Sequence, residues 1–249
     1  MLELRIKKLK VAIVNDYQEL SRLAAAEAVK QLKKNKASVF GLATGATVLG
    51  LYQELARLNA NQSISFKKAK TFNLDELVGV SQADRGSLFH YMRKNFFSKV
   101  DLPHDGINFL HGLAKDWKRE CLSYERKIRQ AGGIDLQILG IGLDGHIGFD
   151  EPGTSFRSRT GKIKLKLITR RVQAKNFSST RVVPKHGLSM GIATIMRAKK
   201  IVLLASGKEK AEVVAQALRG KITPKLPASV LQRHPDCLVI LDKAAASRL

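Results

Sequence analysis

The sequence is poor in residues that build special scaffolds. Its 249 residues include only 2 cysteines, 6 prolines and 1 tryptophan. Cys121 and Cys237 lie far apart and form no Cys-x-x-Cys pair, so we expect a reduced, cytoplasmic protein without a thiol metal site. Every apolar run ends after a few residues, which argues against a membrane-spanning helix and against a secretory signal.

Acidic residues are also scarce. Lys and Arg total 44 against 21 Asp and Glu, a formal net charge of +23, and no acid lies between Glu151 and Glu209. Such an excess suggests a nucleic acid, an anionic membrane or an anionic metabolite as partner. The basic residues are scattered, without a recognition motif or an aromatic platform, so the sequence disfavours nucleic acid. A nucleic-acid-binding or regulatory protein on an enzyme fold is the non-enzyme alternative.

Strand and helix patterns alternate along the whole chain, without a Pro/Ser-rich linker. Short apolar runs predict buried strands, and amphipathic stretches between most of them predict helices; the segment 188–196 is also expected to be helical. This alternation predicts one α/β domain with a parallel or mostly parallel sheet. The predicted strands are 38–42, 69–74, 134–141, 201–205 and 238–241.

Ligands of open α/β sheets bind beyond the carboxyl ends of the strands. After the first of these strands come Thr44, Gly45, Ala46 and Thr47, directly before a predicted helix. Free backbone N–H groups at such a helix start can hold a phosphate. The segment matches neither the Walker motif nor Gly-x-Gly-x-x-Gly, and a plain N-cap turn explains it equally well.

Carboxylates and a histidine follow the next two strands. Asp75 could be a general base if burial raises its pKa, although taken alone it fits a solvated acidic loop or helix cap better. His146 lies between Asp144 and Glu151, so one carboxylate could orient the ring while the other ring nitrogen moves a proton. One histidine with acids is a poor zinc set, and we expect no metal.

Lys210, at a helix start after the fourth strand, could add a charge to a bound phosphate, or it could be one more solvated lysine. Together these groups are suited to proton transfer on a phosphorylated small molecule, and they require no redox cofactor. Composition and spacing do not name the substrate.

Several segments resemble the glucosamine-6-phosphate deaminase (isomerase) family. The most specific are Phe-Asn-Leu-Asp-Glu at 72–76 and Asp-Gly-His-Ile-Gly-Phe-Asp-Glu-Pro at 144–152. The resemblance runs from about residue 10 to the C-terminus. It implies a Rossmann-like three-layer α/β sandwich with a mostly parallel sheet, in a single domain over 10–249, and leaves 1–9 as a candidate basic N-terminal extension.

The family converts glucosamine 6-phosphate and water into fructose 6-phosphate and ammonia, with no cofactor or metal. By resemblance, Asp75 would take the C2 proton of the open-chain sugar and return one at C1. His146 would drive ring opening, held by Asp144 and Glu151. Residues 44–47 would bind the phosphate, together with the two basic side chains Lys175 and Lys210.

The sequence departs from the family pattern at two positions. Asp150 stands where the family usually has Asn, and its added charge could perturb Glu151. Lys175 stands where the family usually has Arg, which keeps the charge but loses the bidentate fork. The chain also lacks the C-terminal extension of the large hexameric members, so we expect no activation by an acetylated sugar phosphate.

Two enzyme alternatives remain open. One is the same reaction on galactosamine 6-phosphate, and the other is a 6-phosphogluconolactonase, which shares the fold and the Asp-Gly-His loop. Segment 72–76 and Glu151-Pro152 favour the deaminase. We expect a phosphorylated amino sugar as ligand, no membrane association, and a monomer or small homo-oligomer.

Overall fold

The alternating sequence pattern folds into an α/β architecture. The computed structural model describes residues 1–174, 177 and 183–249. Its strands are β1 (Leu2–Ile6), β2 (Leu9–Val14), β3 (Val39–Leu42), β4 (Lys70–Asn73), β5 (Asp75–Leu77), β6 (Ile107–Asn108), β7 (Leu136–Gly140), β8 (Gly161–Lys164), β9 (His186–Ser189), β10 (Lys200–Ala205) and β11 (Cys237–Asp242). Its α-helices are α1 (Tyr17–Lys34), α2 (Ala46–Ala60), α3 (Leu88–Asn95), α4 (Trp117–Gln130), α5 (Leu167–Ala174), α6 (Ile192–Ile195) and α7 (Ala211–Arg219).

Eight strands form the central sheet, in the order β1-β2-β11-β10-β7-β3-β4-β6. All neighbours pair in parallel except β1 and β2, which form an antiparallel hairpin. The chain winds outward from β3 through β4 to β6, then returns to β7 on the other side of β3 and winds through β10 to β11. The topological switch point therefore lies between β3 and β7, where open α/β sheets bind ligands.

The helices lie in layers on the two faces of this sheet, because right-handed crossovers in opposite directions place them on opposite faces. Apolar side chains of the central strands form the main core, including Ile138, Leu203 and Ile240, which are almost fully buried. This three-layer arrangement with a mostly parallel sheet confirms the predicted fold class. No helix among the described residues is long and apolar enough to span a membrane.

Helix starts follow the sequence signals. Asp16 caps α1 by accepting a hydrogen bond from Glu19 N, and the Glu19 carboxylate accepts one from Asn15 N. This reciprocal pattern satisfies N–H groups that the first helical turn leaves free.

The prediction of a helix over 188–196 was wrong. Residues His186–Ser189 form β9, and only Ile192–Ile195 are helical. β9 lies between β5 and β8 in a small antiparallel sheet, so contacts distant in sequence outweigh the local pattern. This second sheet lies beside the carboxyl edge of the main one and has its own apolar cluster (Leu77, Val80, Leu88, Phe149 and Leu165).

Candidate active site

The side chains that sequence reasoning singled out converge at the carboxyl edge of the central sheet. Loop 44–47 follows β3, Asp75 follows β4, segment 141–151 follows β7, and Lys210 follows β10. β10, β7, β3 and β4 are consecutive in the sheet, so the four loops are neighbours. The structure thus brings the described candidates together around the switch point.

The loop at 44–47 leads into a helix start without a side-chain cap. Gly45 is the N-cap of α2 and has no side-chain cap, so the first N–H groups of a 15-residue helix remain free toward the rim. Thr44 and Thr47 are half-buried beside them, and Gly45 and Ala46 are exposed.

Three tyrosines that sequence reasoning did not single out hold this loop. The hydroxyl groups of Tyr91, Tyr17 and Tyr52 donate to the carbonyl oxygens of Gly45, Ala46 and Ala43, at 2.9, 2.8 and 2.5 Å. Each bond fixes a carbonyl on the loop and leaves its N–H groups available. The phosphate-binding hypothesis gains a rigid backbone from these contacts.

Asp75 is a buried carboxyl without a hydrogen bond among the described residues, and it is only 5% exposed. Burial, and then the charge of Glu76, raises the pKa of Asp75 to about 8. Glu76, its neighbour in sequence, is instead fully satisfied: it accepts from the Ser87 hydroxyl and from the N–H groups of Leu77, Leu88 and Phe89. Glu76 therefore anchors the start of α3, and Asp75 is the acid left free for chemistry.

Asp150 reaches the same buried region. The turn from Ile147 to Asp150 passes close to Asp75: a Cβ atom built on Gly148 would lie 3.5 Å from Asp75 Oδ2. Burial, and then the charge of Asp75, raises the pKa of Asp150 to about 8. We name Asp75 and Asp150 the carboxyl pair. We expected Asp150 to perturb Glu151, whereas the acid that acts on it most strongly is Asp75.

Asp144, His146 and Glu151 form a second group, which we name the histidine cluster. His146 Nδ1 lies 2.6 Å from Asp144 Oδ1, so the carboxylate orients the imidazole. Gly142 makes room for the ring: a Cβ at that position would lie 2.2 Å from His146 Cε1. Glu151 Oε1 accepts from Lys166 N at 3.0 Å and from the Thr169 hydroxyl at 2.6 Å.

The surroundings of Asp144 favour its charged form. Burial alone would raise its pKa, but the hydrogen bond and charge of His146 outweigh burial and lower the pKa of Asp144 to about 2. Lys166 Nζ adds to this effect at 4.0 Å from Asp144 Oδ2. Asp144 therefore stays ionised and holds the ring through Nδ1, leaving the other ring nitrogen free to exchange a proton.

The histidine cluster is also the place where a metal ion could bind, since its three side chains offer ligand atoms within 4.8 Å of one another. The carboxylates already accept hydrogen bonds from the His146 ring, from Lys166 N and from the Thr169 hydroxyl. A single imidazole with two carboxylates is also a poor zinc set. This donor set favours proton handling.

Lys210 lies between the loops after β7 and β10. Its Nζ donates to Ile141 O at 2.7 Å, and burial lowers the pKa of Lys210. An ammonium group has three donors, so two remain for an anion. Lys175, the other predicted phosphate ligand, lies outside the described residues, and its role stays a prediction.

A Rossmann-like sheet that gathers proton-transfer groups and a free helix start at its switch point defines an enzyme of phosphorylated small molecules. The chain belongs to the family described as glucosamine-6-phosphate isomerases/6-phosphogluconolactonase, whose model matches residues 15–240. The predicted family resemblance is confirmed.

Individual relatives agree with this assignment. The chain is 47% identical over 241 residues to a glucosamine-6-phosphate deaminase of Clostridium acetobutylicum, covering 97% of this chain and 100% of the relative. A Clostridium botulinum protein of the same name is also 47% identical, covering 97% of this chain and 99% of its own. Among solved structures, a monomeric glucosamine-6-phosphate deaminase superposes with a TM-score of 0.93 at 44% identity, covering 96% of this chain and 99% of the other.

A 6-phosphogluconolactonase from Trypanosoma brucei superposes with a TM-score of 0.75 at 20% identity, covering 96% of this chain and 98% of the other. At that level of identity the likeness concerns the fold alone. The main sheet and its switch point are thus shared by proteins that differ widely in sequence, so the substrate must be argued from the site.

Proposed function

We propose that this chain converts glucosamine 6-phosphate and water into fructose 6-phosphate and ammonia. The observation that carries the proposal is the placement of a desolvated carboxyl, Asp75, beside an Asp–His–Glu cluster at one rim. Deamination through an open-chain sugar needs two proton-transfer centres, one for ring opening and one for moving a proton between C2 and C1. The relatives at 47% identity carry the name of this activity.

Asp75 is the proposed base at C2. Its ionised form accepts the C2 proton of the open-chain sugar, which leaves a negatively charged enolate across C1 and C2. It then returns a proton at C1, which leaves an imine at C2. The raised pKa of Asp75, about 8, makes it a stronger base than a solvated carboxylate, at the cost of a smaller ionised fraction at neutral pH. Water then replaces the amino group at C2 and ammonia leaves.

His146 is the proposed group for ring opening. It would pass a proton between the anomeric hydroxyl and the ring oxygen, while Asp144 holds its Nδ1 side. Glu151 Oε2 is buried and has no hydrogen-bond partner among the described residues, so it can stabilise the ring when His146 is protonated. No step requires a cofactor or a metal.

Residues 44–47 and Lys210 are the proposed phosphate site. The free N–H groups at the start of α2, the two threonine hydroxyls and the Lys210 ammonium would share the charge of the phosphate. Lys175 is proposed as a further cation of this site. We also propose that the enzyme acts in the cytoplasm as a monomer or small homo-oligomer; its two cysteines are free and buried.

The test is incubation of the purified protein with glucosamine 6-phosphate, with ammonia and fructose 6-phosphate measured in the same sample. We expect equal amounts of the two products. Galactosamine 6-phosphate and 6-phosphogluconolactone are run in parallel. Faster turnover of the galacto epimer would change the proposed sugar, and lactone hydrolysis without ammonia release would overturn the proposal.

A further inference from the structure

Asp150 is positioned by the turn that carries it. Asp150 N donates to Ile147 O at 3.1 Å and closes the turn, and Phe149 N donates to the Ser189 hydroxyl oxygen at 3.1 Å. Ser189 faces Asp75 in the pairing of β9 with β5. The turn is therefore fastened to the strand opposite Asp75, and the Asp150 backbone has little freedom to move away from it.

The Asp150 side chain is buried with little to stabilise its charged form. It is 0% exposed, and among the described residues neither carboxyl oxygen makes a hydrogen bond. The Ser158 hydroxyl lowers the pKa of Asp150, but burial and the charge of Asp75 outweigh this effect. A buried, unpaired carboxylate is costly, and such a group normally keeps its proton.

The charges around Asp150 and Asp75 do not offset this cost. Asp75 is the charged group that acts on Asp150, and Glu76 acts on Asp75 from the α3 side. Ion pairs between described residues include neither Asp75 nor Asp150. Two buried carboxyls that repel each other, with no ion pair to either among the described residues, do not both ionise readily at neutral pH, so they titrate as a coupled pair.

We propose that Asp150 is a positioning residue that shares a single proton with Asp75, so that the carboxyl pair carries one negative charge in the active enzyme. The part of this inference that concerns turnover rests on the proposed function. We place the proton on Asp150, which is 0% exposed against 5% for Asp75, and this leaves Asp75 as the ionised member. A neutral acid beside the base is compatible with a negatively charged, enol-like sugar, whereas a second carboxylate would repel it.

Protons balance through the cycle. Before reaction the pair holds one proton and one negative charge. When Asp75 takes the C2 proton, the pair becomes neutral with two protons, and when a proton is returned at C1, the pair regains its single charge. Asp150 exchanges no proton with the sugar and acts only through Asp75.

The first test needs no substrate. Infrared spectra of the free protein report protonated carboxyl groups, so the Asp150→Asn variant subtracted from the wild type isolates the Asp150 carboxyl. We expect a protonated-carboxyl band at about pH 7 that disappears with a midpoint near the raised pKa of about 8. In Asp75→Asn, which keeps Asp150 but removes its charged neighbour, the midpoint should move to lower pH. An Asp150 carboxyl already ionised at about pH 6 would overturn the inference.

The second test is the pH dependence of kcat/KM. Asp150→Asn keeps a neutral side chain of the same shape, so it is compared with the wild type by the shape of the pH profile. In the wild type, activity should fall as the pair loses its last proton, and this alkaline decline should be absent in Asp150→Asn. Asp105→Asn, at an exposed acid, is the matched control and should follow the wild type.

Superimposable profiles for Asp150→Asn and the wild type would overturn the inference. A folded Asp150→Asn protein that is inactive at every pH would overturn it as well, because an amide should replace a protonated acid. If the wild type releases no ammonia, the proposed function fails, and the infrared titration still decides whether the pair shares a proton. That titration can also be followed in wild type and Asp75→Asn alone should Asp150→Asn fail to fold.

Discussion

The carboxyl pair and the histidine cluster lie on one rim, yet they place carboxyl groups in opposite surroundings. Asp75 and Asp150 are buried and form no ion pair within the part of the chain that the structure describes, and the pKa of each is raised to about 8. In the histidine cluster, Asp144 contacts His146 and lies near Lys166, and its pKa is lowered to about 2. The same functional group is thereby made into a strong base on one side and a permanent anion on the other.

This difference in pKa agrees with the roles proposed for Asp75 and for Asp144. A permanent anion cannot take a proton from carbon, but it can hold an imidazole in one orientation and stabilise its charged form. A desolvated carboxyl is a poor anchor, but it can accept and return a proton near neutral pH. Under the proposed function, ring opening and proton transfer between carbons would therefore use carboxyl groups in different electrostatic surroundings.

The largest effect is expected from removing the base. Asp75→Asn keeps the shape of the side chain and abolishes its ability to take the C2 proton, so kcat should fall about 10³-fold or more. The affinity for fructose 6-phosphate, measured by calorimetry, should stay within about threefold, because the phosphate contacts are untouched. Asp105→Asn serves as the exposed control. A fall in affinity that accounts for the whole loss would assign Asp75 to binding.

Replacing the histidine should cost less, because sugars also open spontaneously. His146→Gln should lower kcat/KM about 10²-fold, with ring opening now limiting turnover. The loss should shrink when the open-chain form is supplied faster, for example at higher temperature, whereas the loss in Asp75→Asn should remain. His104→Gln, at an exposed histidine, is the matched control. Equal activity of His146→Gln and the wild type would contradict the assignment.

A change at the proposed phosphate site should weaken substrate binding without slowing the chemical steps. Lys210→Met removes an ammonium that the structure places between the loops after β7 and β10, so KM should rise about tenfold with kcat nearly unchanged. Lys208→Met, two residues earlier and exposed, should leave both constants unaltered. An equal change of KM in both variants would mean that Lys210 contributes only general positive charge and is not a specific phosphate ligand.

The smallest effect is on stability, and it has opposite signs in the two groups. The lowered pKa of Asp144 stabilises the fold above its unfolded value of about 4, and this contribution is lost as pH falls toward about 2. The raised pKa values of Asp75 and Asp150 destabilise the fold as pH rises from about 4 to about 8.

Thermal unfolding should therefore separate the variants. At about pH 8, Asp144→Asn should melt roughly 3 °C below the wild type, a modest shift because solvent partly screens Asp144. At the same pH, Asp150→Asn should melt roughly 3 °C above the wild type. At about pH 4 the advantage of Asp150→Asn should vanish. Shifts of the same sign in both variants would mean that the two environments do not differ as described.

Much of this site could be predicted from the sequence because strong local signals bracket it. Apolar runs such as 134–141 and 201–205 identify central strands, and polar groups that follow such strands must meet at one edge. Asp75, His146 and Lys210 were located in this way. The N-caps of α1 and α3, Asp16 and Ser87, are signals of the same local kind, since a cap is decided within a few residues.

What could not be predicted depends on contacts distant in sequence. β9 takes its strand form from pairing with β5 and β8, which lie up to about 110 residues away, so its local pattern was misleading. The tyrosines that hold loop 44–47 look like ordinary core aromatics in the sequence. The coupling of Asp150 to Asp75 also joins residues distant in sequence. From the sequence, Asp150 was expected to act on its neighbour Glu151.

The central claim is that Asp75 moves the proton at C2. The most direct measurement follows glucosamine 6-phosphate deuterated at C2 by NMR, with the wild type and with Asp75→Asn at equal concentration. We expect the wild type to remove the C2 deuterium as ammonia and fructose 6-phosphate form, and Asp75→Asn to bind the sugar while the C2 deuterium stays in place. Removal of that deuterium by Asp75→Asn at the rate of the wild type would contradict the account.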